Sequence, residues 1–587
     1  MTRLLDERIP RTLDALLSRV EHEAPPGSRV EAWLFEGAAA RREAEDRLRE
    51  RGIAAAVRSA YKPLVHFFLE EVEAAGLRGA TVRYPVLANV HEKRFRLEAY
   101  PLAALLPGVD VRFVPSAGAP QYQIDLERRT GETERLAVFA PNRVREDHLG
   151  GRVLAPTGWL RITGPGDPHP RVDEPVATEY ETIFERVMSA VRAYDWGTRE
   201  PYFEQLTIRA DVPGVERRLP YGEECLSTCE ALHEELYFSI LEYFKHRAGR
   251  PIDDRTTRPG QIVPDVREGA ASPRVRVTLD TPAADVDAGP AAAGAGAAAP
   301  SLDAAAAPLA IGDVWDEAAA LEGRRFSAWS RQGRPVPGVY RPGRRPAIVV
   351  TAGQHANETT GVVGALRAAR RLAADPDASF AVIPLENPDG YALHRRLCAV
   401  NPRHMHHAAR YTALGDDLQS RTAAPWDEKA ARLEAQRLSS AALHVNLHGY
   451  PSHEWTRPLT GYLPRGFQTW SVPKGFYLIL RHHGAWRSRV TEFLDAVTAR
   501  LAAVPGLVDL NRAQIAASEA HTGERPDPIM HWIPCQITED ETAPFPLGLI
   551  TEFPDETIYG DLFVLGHTAL METVLAAERV YSGMARG

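Results

Sequence analysis

The sequence predicts a C-terminal half with an α/β fold, preceded by a separate N-terminal domain of the α+β class. The C-terminal half alternates apolar, β-branched runs with helical periodicity, as in RPAIVVTAGQHANETTGVVGALRAARRLAA, which is typical of strand, turn and helix units. The N-terminal half shows a helical pattern near 38–52. Four short strand patterns follow between positions 109 and 163, separated by Gly, Pro and Asn turns.

A stretch of low complexity divides the two halves. Between positions 281 and 311, small residues and prolines replace aromatic and charged side chains, so this stretch buries too little to offset the entropy of ordering it. We therefore predict an N-terminal α+β domain at 1–280, a flexible linker at 281–311 and a C-terminal domain at 312–587. For the N-terminal domain, the roles of prodomain, substrate-binding module and oligomerisation domain all stay open.

Composition excludes several function classes. The 78 acidic and 69 basic residues are interspersed and give a formal net charge of -9, which does not favour a nucleic-acid partner. No window approaches 18 apolar residues and no secretory signal is evident, so no membrane partner is expected. Four scattered cysteines fit a reducing, cytoplasmic location, and heavy use of Ala, Arg and Pro indicates a bacterial origin. The oligomeric state is not indicated.

Polar residues follow four apolar strand patterns in the C-terminal half. His355 and Glu358 come after one strand, the turn 387–390 (Asn-Pro-Asp-Gly) after a second, His448 ends a third and Glu552 ends a fourth. Strand ends of this kind converge at one edge of a parallel sheet. Two imidazoles and one carboxylate suit a zinc ion with an open position for water, and a second carboxylate can accept that water's proton.

These segments, in this order, resemble the zinc carboxypeptidases of the carboxypeptidase A type. The resemblance covers about 312–587 and implies an α/β/α fold with a mixed, mostly parallel sheet of eight strands. It implies one Zn²⁺ in the catalytic domain, with His355, Glu358 and His448 as ligands and Glu552 as the general base that activates zinc-bound water. The expected reaction is hydrolysis of a peptide or amide bond.

Two departures from the family pattern concern substrate recognition. The Asn-Arg pair that grips a terminal carboxylate in many members is absent downstream of the Asn-Pro-Asp-Gly turn, and the mobile tyrosine has no match. We nominate Arg396 or Arg403 as the cation that stabilises the oxyanion. Arg410 is a candidate anchor for a substrate carboxylate. Tyr450, two residues after the metal-ligating histidine, is assigned to substrate binding.

Several histidines and cysteines allow other interpretations. His444 is the main rival of His448 as the third ligand, but its apolar neighbours on both sides favour a core position. His404, His406 and His407 are interpreted as substrate-side polar residues or solvated surface rather than a second metal site. A helix predicted over 225–247 would place three potential soft-metal ligands on one face: Cys225, Cys229 and His233. We interpret them as structural residues because no fourth ligand is nearby.

Two other functions stay open. The segment HANETTG is also similar to that of the succinylglutamate desuccinylase and aspartoacylase group, which would make the substrate an N-acyl amino acid rather than a peptide. The NPDGY and TEF segments favour the peptidase. A non-catalytic binding protein on the same fold is the third possibility.

Overall fold

The computed structural model describes residues 1–269, 272–281, 301–467 and 470–585. The described strands of the N-terminal half are β1 (Thr2–Arg8), β2 (Arg29–Leu34), β3 (Ala54–Ser59), β4 (Leu77–Val86), β5 (Asp110–Ala117), β6 (Gln121–Arg128), β7 (Thr133–Phe139), β8 (Asn142–Glu146), β9 (Arg152–Pro156), β10 (Gly158–Thr163), β11 (Val172–Val176), β12 (Gln205–Val212), β13 (Glu216–Arg218), β14 (Cys225–Ser227), β15 (Gln261–Glu268) and β16 (Arg274–Asp280). Its helices are α1 (Thr12–Glu23), α2 (Ala38–Glu50), α3 (Pro63–Glu70), α4 (Arg94–Glu98), α5 (Leu102–Leu105), α6 (Glu179–Ala193) and α7 (Thr228–Arg247).

The N-terminal strands form several small sheets. Their orders are β1-β16-β12-β15, β11-β10-β2-β3, β5-β4-β6-β7, β8-β9 and β13-β14. The predicted helix near 38–52 is α2, and the four predicted strands are β5, β6, β7 and β10. The α+β prediction for this half is confirmed.

The C-terminal half contains a second set of elements. Its described strands are β17 (Arg324–Trp329), β18 (Pro335–Arg341), β19 (Ile348–Ala352), β20 (Phe380–Ile383), β21 (Leu443–Pro451), β22 (Tyr477–His482), β23 (Ile529–Met530), β24 (Ile533–Glu539) and β25 (Leu547–Glu556). Its helices are α8 (Ile311–Ala319), α9 (Thr360–Ala373), α10 (Pro388–Cys398), α11 (Lys429–Ser439), α12 (Val490–Leu501), α13 (Leu507–Thr522) and α14 (Asp561–Met584).

These strands form one mixed sheet in the order β17-β18-β20-β19-β21-β25-β22-β24-β23. The pairs β20–β19, β19–β21, β21–β25 and β22–β24 are parallel, and the other four pairs are antiparallel. The α/β prediction with a mixed sheet is confirmed. The sheet has more antiparallel pairs than expected because β17–β18 is a hairpin and β22 runs against β25, and the two-residue β23 adds a ninth strand.

Helices cover both faces of this sheet. Helices α9, α12 and α14 pack on one face, and α11 packs on the other. Along β19, Ile348 and Val350 belong to the first core and Val349 to the second, because successive side chains of a strand point to opposite faces. The result is an α/β/α arrangement that leaves the ends of β19, β21 and β25 free to carry polar side chains.

Helix α7 of the N-terminal half lies against the C-terminal half. Its residues Leu232 and Leu236 pack in one hydrophobic cluster with Leu393 and Ala409 of the C-terminal half. The helix begins at Thr228 rather than at Cys225, because the Ser227 side chain caps it by accepting a hydrogen bond from the backbone N–H of Glu230 at 2.9 Å. The two halves therefore share a core, whereas the predicted domain boundaries stay a prediction.

Carboxylates on α7 extend this contact. Glu235 accepts hydrogen bonds from the backbone N–H groups of Leu459 at 2.6 Å and Thr460 at 3.1 Å. Glu242 pairs with the Arg457 guanidinium at 2.5 Å. Buried carboxylates are costly unless they are paired, so these bonds let a glutamate-rich helix lie inside the protein.

The predicted linker falls largely outside the described residues. Of positions 281–311, the described part after the gap packs on the C-terminal half. Leu302 is buried, and Asp303 accepts a hydrogen bond from Arg367 Nε at 2.6 Å. The segment from 301 onward is thus docked on α9. Among the helices of the described residues, none combines the length and apolar character that crossing a membrane requires.

Candidate active site

His355 and Glu358 lie in the turn between β19 and α9. Gly353 begins this turn with φ of +62°, a left-handed conformation that glycine adopts without strain. A Cβ atom at this position would lie 2.7 Å from Leu385 Cδ1. The backbone N–H of Glu358 donates to the His355 carbonyl at 3.2 Å, and their side chains meet, with His355 Nδ1 lying 2.8 Å from Glu358 Oε1.

His448 comes to the same point from β21. Its Nδ1 lies 2.8 Å from Glu358 Oε2 and 3.0 Å from His355 Nδ1. The backbone N–H of Gly449 donates to Glu358 Oε2 at 3.1 Å and holds that carboxylate in place. We call His355, Glu358 and His448 the strand-end group.

The donor set of the strand-end group fits a zinc ion. Its three residues are 6%, 1% and 5% exposed, so water does not separate them. Two imidazole nitrogens face each other at 3.0 Å, and only one of them can carry a hydrogen toward the other. A cation bound to both lone pairs and to the carboxylate satisfies all three, and imidazole nitrogen and carboxylate oxygen are ordinary zinc ligands.

Asp417 contacts the imidazole of His355 on the side away from Glu358. This residue is not among those predicted from the sequence. His355 Nε2 lies 3.4 Å from Asp417 Oδ2, and Gln354 Nε2 donates to Asp417 Oδ1 at 2.9 Å. Burial alone would raise the pKa of Asp417, but His355 and Arg255 hold it well below its usual range. An ionised carboxylate at this place fixes the tautomer and orientation of a metal-binding imidazole. The local sequence Gly-Asp-Asp, which ends at Asp417, is the pattern that could have indicated this residue.

Glu552 lies opposite His448, since the two residues are paired in the parallel register of β21 and β25. Its side chain lines the cavity in front of the strand-end group. The Glu552 side chain makes no hydrogen bond or ion pair with any residue that the structure describes. Burial, followed by the negative charge of Glu358, raises the pKa of Glu552 well above its ordinary range. The result is an available carboxylate beside the candidate metal position.

Arg410 is the cation next to the strand-end group. Its Nη1 donates to Glu358 Oε1 at 2.7 Å and lies 3.8 Å from Glu556 Oε1. Burial alone would lower the pKa of Arg410, but nearby groups led by Glu358 raise it above its ordinary value. The guanidinium therefore stays protonated and lines the cavity.

The structure does not bring the other two nominated arginines to this place. Arg396 Nη2 donates to Gln205 Oε1 of the N-terminal half at 3.4 Å. Arg403 is exposed and pairs with Glu223 at 3.2 Å. Neither lines the cavity, because both are engaged by the N-terminal half. Of the three arginines named from the sequence, the structure therefore brings only Arg410 to the strand-end group.

Tyr450 and His444 lie on opposite sides of the strand-end group along β21. Tyr450 lines the cavity, and its hydroxyl donates to the Gly475 carbonyl at 2.7 Å, so its ring is fixed. His444 Nε2 lies 2.8 Å from Thr351 Oγ1 and does not join the strand-end group. Of the two rival histidines, the structure thus brings only His448 to the other ligands.

The histidines at 404, 406 and 407 are buried, so their interpretation as solvated surface is wrong. The N-terminal half covers them: His404 Nε2 lies 2.9 Å from Glu216 Oε2, and His407 Nδ1 lies 2.6 Å from Glu234 Oε2. His407 also lines the cavity, as the substrate-side alternative expects. The sequence of the C-terminal half alone cannot indicate that the N-terminal half buries these histidines.

Both halves of the chain line the cavity, which has a volume of about 650 Å³. Its walls are rich in aromatic rings, of which Phe238 belongs to α7: Phe238, Tyr450, Trp455, Phe467, Trp470 and Tyr477. Arg255, also from the N-terminal half, lines it and lies 3.6 Å from Asp417. Arg481 of β22 lines it too, and its side chain has no hydrogen bond or ion pair with any residue that the structure describes.

An α/β/α sheet with two imidazoles and a carboxylate grouped at its strand ends is the arrangement of a metal-dependent hydrolase. Residues 324–437 match the zinc carboxypeptidase family, Peptidase_M14. The match confirms the resemblance of the C-terminal half to zinc carboxypeptidases and supports a hydrolase. It includes His355, Glu358 and Arg410 and ends before His448 and Glu552.

Several solved structures are similar to somewhat less than half of this chain. A metallo-carboxypeptidase from Burkholderia cenocepacia is 13% identical, with 48% of this chain and 70% of that chain covered and a TM-score of 0.28. A metallo-carboxypeptidase from Pseudomonas aeruginosa, solved with (2-guanidinoethylmercapto)succinic acid, is 15% identical, with 47% and 69% covered and a TM-score of 0.28. Carboxypeptidase A from Helicoverpa armigera is 10% identical, with 47% and 72% covered and a TM-score of 0.30. No curated protein sequence matches the chain.

Proposed function

We propose that the protein is a zinc-dependent metallocarboxypeptidase that hydrolyses an amide bond next to a carboxylate of its substrate. The observation that carries this proposal is the meeting of the strand-end group with two further residues, Glu552 and Arg410, in one cavity. One zinc ion in this group would complete the catalytic domain.

Zinc and Glu552 have distinct roles in this proposal. Zinc, when bound, would polarise the scissile carbonyl and make water a stronger acid. Glu552 accepts the proton of the attacking water and delivers it to the leaving amine. Its lack of any other partner among the described residues leaves both carboxylate oxygens available for this transfer. Burial, followed by the negative charge of Glu358, raises the pKa of Glu552, which makes its carboxylate a stronger proton acceptor.

Arg410 stabilises the negative charge that develops on the carbonyl oxygen. Its bond to Glu358 fixes the guanidinium, which lines the cavity. A fixed donor needs no reorganisation during the reaction, which is the source of oxyanion stabilisation. We therefore assign Arg410 to the reacting carbonyl rather than to a distant carboxylate.

A different arginine then serves as the carboxylate anchor. The expected Asn-Arg pair is absent: the chain after Asp417 reads Leu418, Gln419 and Ser420. Among the described residues that line the cavity, Arg481 is a cation whose side chain has no ion-pair partner, and planar guanidinium groups bind carboxylates through two parallel hydrogen bonds. Arg255 is a weaker candidate because Asp417 lies 3.6 Å from it. Aromatic walls favour an apolar side chain beside the bound carboxylate.

The test compares peptides that have free or amidated C-termini with short N-acyl amino acids. The peptidase proposal expects zinc-dependent release of C-terminal residues and a kcat/KM at least about tenfold lower after amidation, the range of one lost charge-assisted contact. N-acyl amino acids that outperform all peptides would instead support the deacylase type. No hydrolysis of any of these amides would refute the proposal.

The Glu552→Gln variant tests the mechanism on the best substrate found. Turnover should fall by about a hundredfold or more, with zinc content retained, because Glu552 is not in the strand-end group. Glu539→Gln is the matched control, since Glu539 also lines the cavity but pairs with Arg487 at 2.6 Å and is engaged elsewhere. Undiminished turnover of Glu552→Gln would show that another residue is the base.

A further inference from the structure

A second group of potential metal ligands lies between the two halves. Cys225 is in β14, Glu230 is in the first turn of α7, and His453 follows β21 in the C-terminal half. His453 Nε2 lies 2.8 Å from both carboxylate oxygens of Glu230, and Cys225 Sγ lies 4.0 Å from Glu230 Oε2. All three ligand atoms are within 4.8 Å of one another. We call these residues the interface group.

The spacing resembles that of the strand-end group, where neighbouring ligand atoms are 2.8 to 3.0 Å apart. The longer distance to sulfur agrees with zinc–sulfur bonds of about 2.3 Å against about 2.0 Å for nitrogen and oxygen. Glu230 and His453 are buried, and Cys225 is half-buried. A thiolate and a carboxylate together carry two negative charges, which a divalent cation neutralises.

The neighbours of His453 indicate that the lone pair of its Nε2 faces the Glu230 carboxylate. Ser452 Oγ donates its own hydrogen to the Glu556 carbonyl at 2.6 Å, so toward His453 it can only accept. It lies 3.4 Å from His453 Nδ1, which places the ring hydrogen on that nitrogen. Nε2 then presents its lone pair to the Glu230 carboxylate, and this arrangement needs either a proton or a metal ion between them.

The thiol favours the metal ion over the proton. An ion pair of Glu230 with a protonated His453 is complete without sulfur, whereas a soft divalent ion uses thiolate, imidazole and carboxylate together. Cys225 reaches this point only because β14 ends immediately before α7 begins.

We propose that Cys225, Glu230 and His453 bind a second zinc-class divalent ion, with water as a fourth ligand, that fastens the N-terminal half to the segment following His448. This segment supplies Tyr450, Pro451 and Trp455 to the cavity wall. The ion thus holds a wall of the candidate active site and takes no part in the reaction.

The test uses the full-length protein loaded with zinc and then with Co²⁺. Wild-type protein should hold two zinc ions per chain. Its Co²⁺ form should show a sulfur-to-cobalt charge-transfer absorption in the near ultraviolet, since the strand-end group contains no cysteine. Cys225→Ala should lower the zinc content from two to one and abolish this absorption. Cys229→Ala is the matched control, because Cys229 is buried nearby on α7 outside the group, and it should keep both.

The proposals for the strand-end group and the interface group can be refuted independently. His355→Ala should lose the zinc of the strand-end group and keep the sulfur absorption. A single zinc per wild-type chain, with no sulfur absorption, would overturn the interface group and leave the His453–Glu230 contact as an ion pair. Sulfur absorption that persists in Cys225→Ala would equally overturn it.

Discussion

The strand-end group and the interface group are alike in geometry and different in origin. All three residues of the first belong to the C-terminal half: His355 and Glu358 follow β19, whereas His448 lies inside β21, which continues to Pro451 rather than ending at His448 as the sequence predicts. The second takes two residues from the N-terminal half and one from the C-terminal half. The strand-end group is therefore complete within one half of the chain, whereas the interface group exists only while the two halves are in contact.

The cavity supports the same distinction. The strand-end group, Glu552 and Arg410 come from the C-terminal half, but Phe238 and Arg255 of the N-terminal half complete the walls. Helix α7 supplies Phe238 and also the carboxylates that pair across the interface. The N-terminal half is therefore an enclosing part of the site.

The largest expected effect separates the two groups directly. His448→Ala should remove zinc from the strand-end group, because two protein ligands do not replace three. Loss of water activation and carbonyl polarisation removes several kcal/mol of transition-state stabilisation, so hydrolysis should fall by about a thousandfold or more. Metal analysis and steady-state rates measure both. His444→Ala, the matched control, should keep its zinc, and full zinc content in His448→Ala would refute the assignment.

The next effect concerns the interface. Glu242→Ala leaves the buried Arg457 without its closest partner, and removing one member of a buried ion pair costs about 3–5 kcal/mol. Urea unfolding followed by tryptophan fluorescence should show this loss of stability. Glu434→Ala is the control, because it breaks a solvent-screened pair with Arg437 and should change stability far less. Equal effects of the two substitutions would show that the interface pair is not a firm contact.

A smaller effect is expected from the oxyanion cation. Arg410→Ala should lower kcat by about a hundredfold to a thousandfold with zinc retained, the range for loss of one fixed oxyanion donor. Arg403→Ala should change kcat by less than twofold, since the structure places Arg403 on the surface with Glu223. Steady-state kinetics on one peptide compare them. A larger loss in Arg403→Ala than in Arg410→Ala would restore the original nomination.

Sequence reasoning found the strand-end group because each member follows a recognisable apolar strand. The strands β19, β21 and β25 pair in parallel, so residues that are distant along the chain had only one edge at which to meet. Glu552 was found for the same reason. The α/β class follows from the same alternation of strand and helix patterns.

Other parts of the site could not be predicted because they depend on irregular segments or on the other half. Arg396, Arg403 and Arg410 are chemically equivalent in sequence, and only the fold of the loop after α10 brings Arg410 to Glu358. His407 is buried because Glu234 of α7 covers it, a contact between residues far apart in the chain. The interface group has the same cause: no spacing in the sequence relates Cys225 to a histidine of the other half.

The smallest effect is expected from Arg481, the proposed anchor for the substrate carboxylate. Arg481→Ala should lower kcat/KM about tenfold on a peptide with a free C-terminus, equivalent to about 1.4 kcal/mol, because the substrate carboxylate loses a charge-assisted contact. The same substitution should leave kcat/KM on the amidated peptide nearly unchanged, since that substrate has no terminal carboxylate to bind. Arg487→Ala, which removes an exposed arginine paired with Glu539, is the matched control and should affect neither substrate. An equal loss on both peptides would mean that Arg481 supports the cavity rather than the carboxylate, and Arg255→Ala would then be the variant that discriminates between the two substrates.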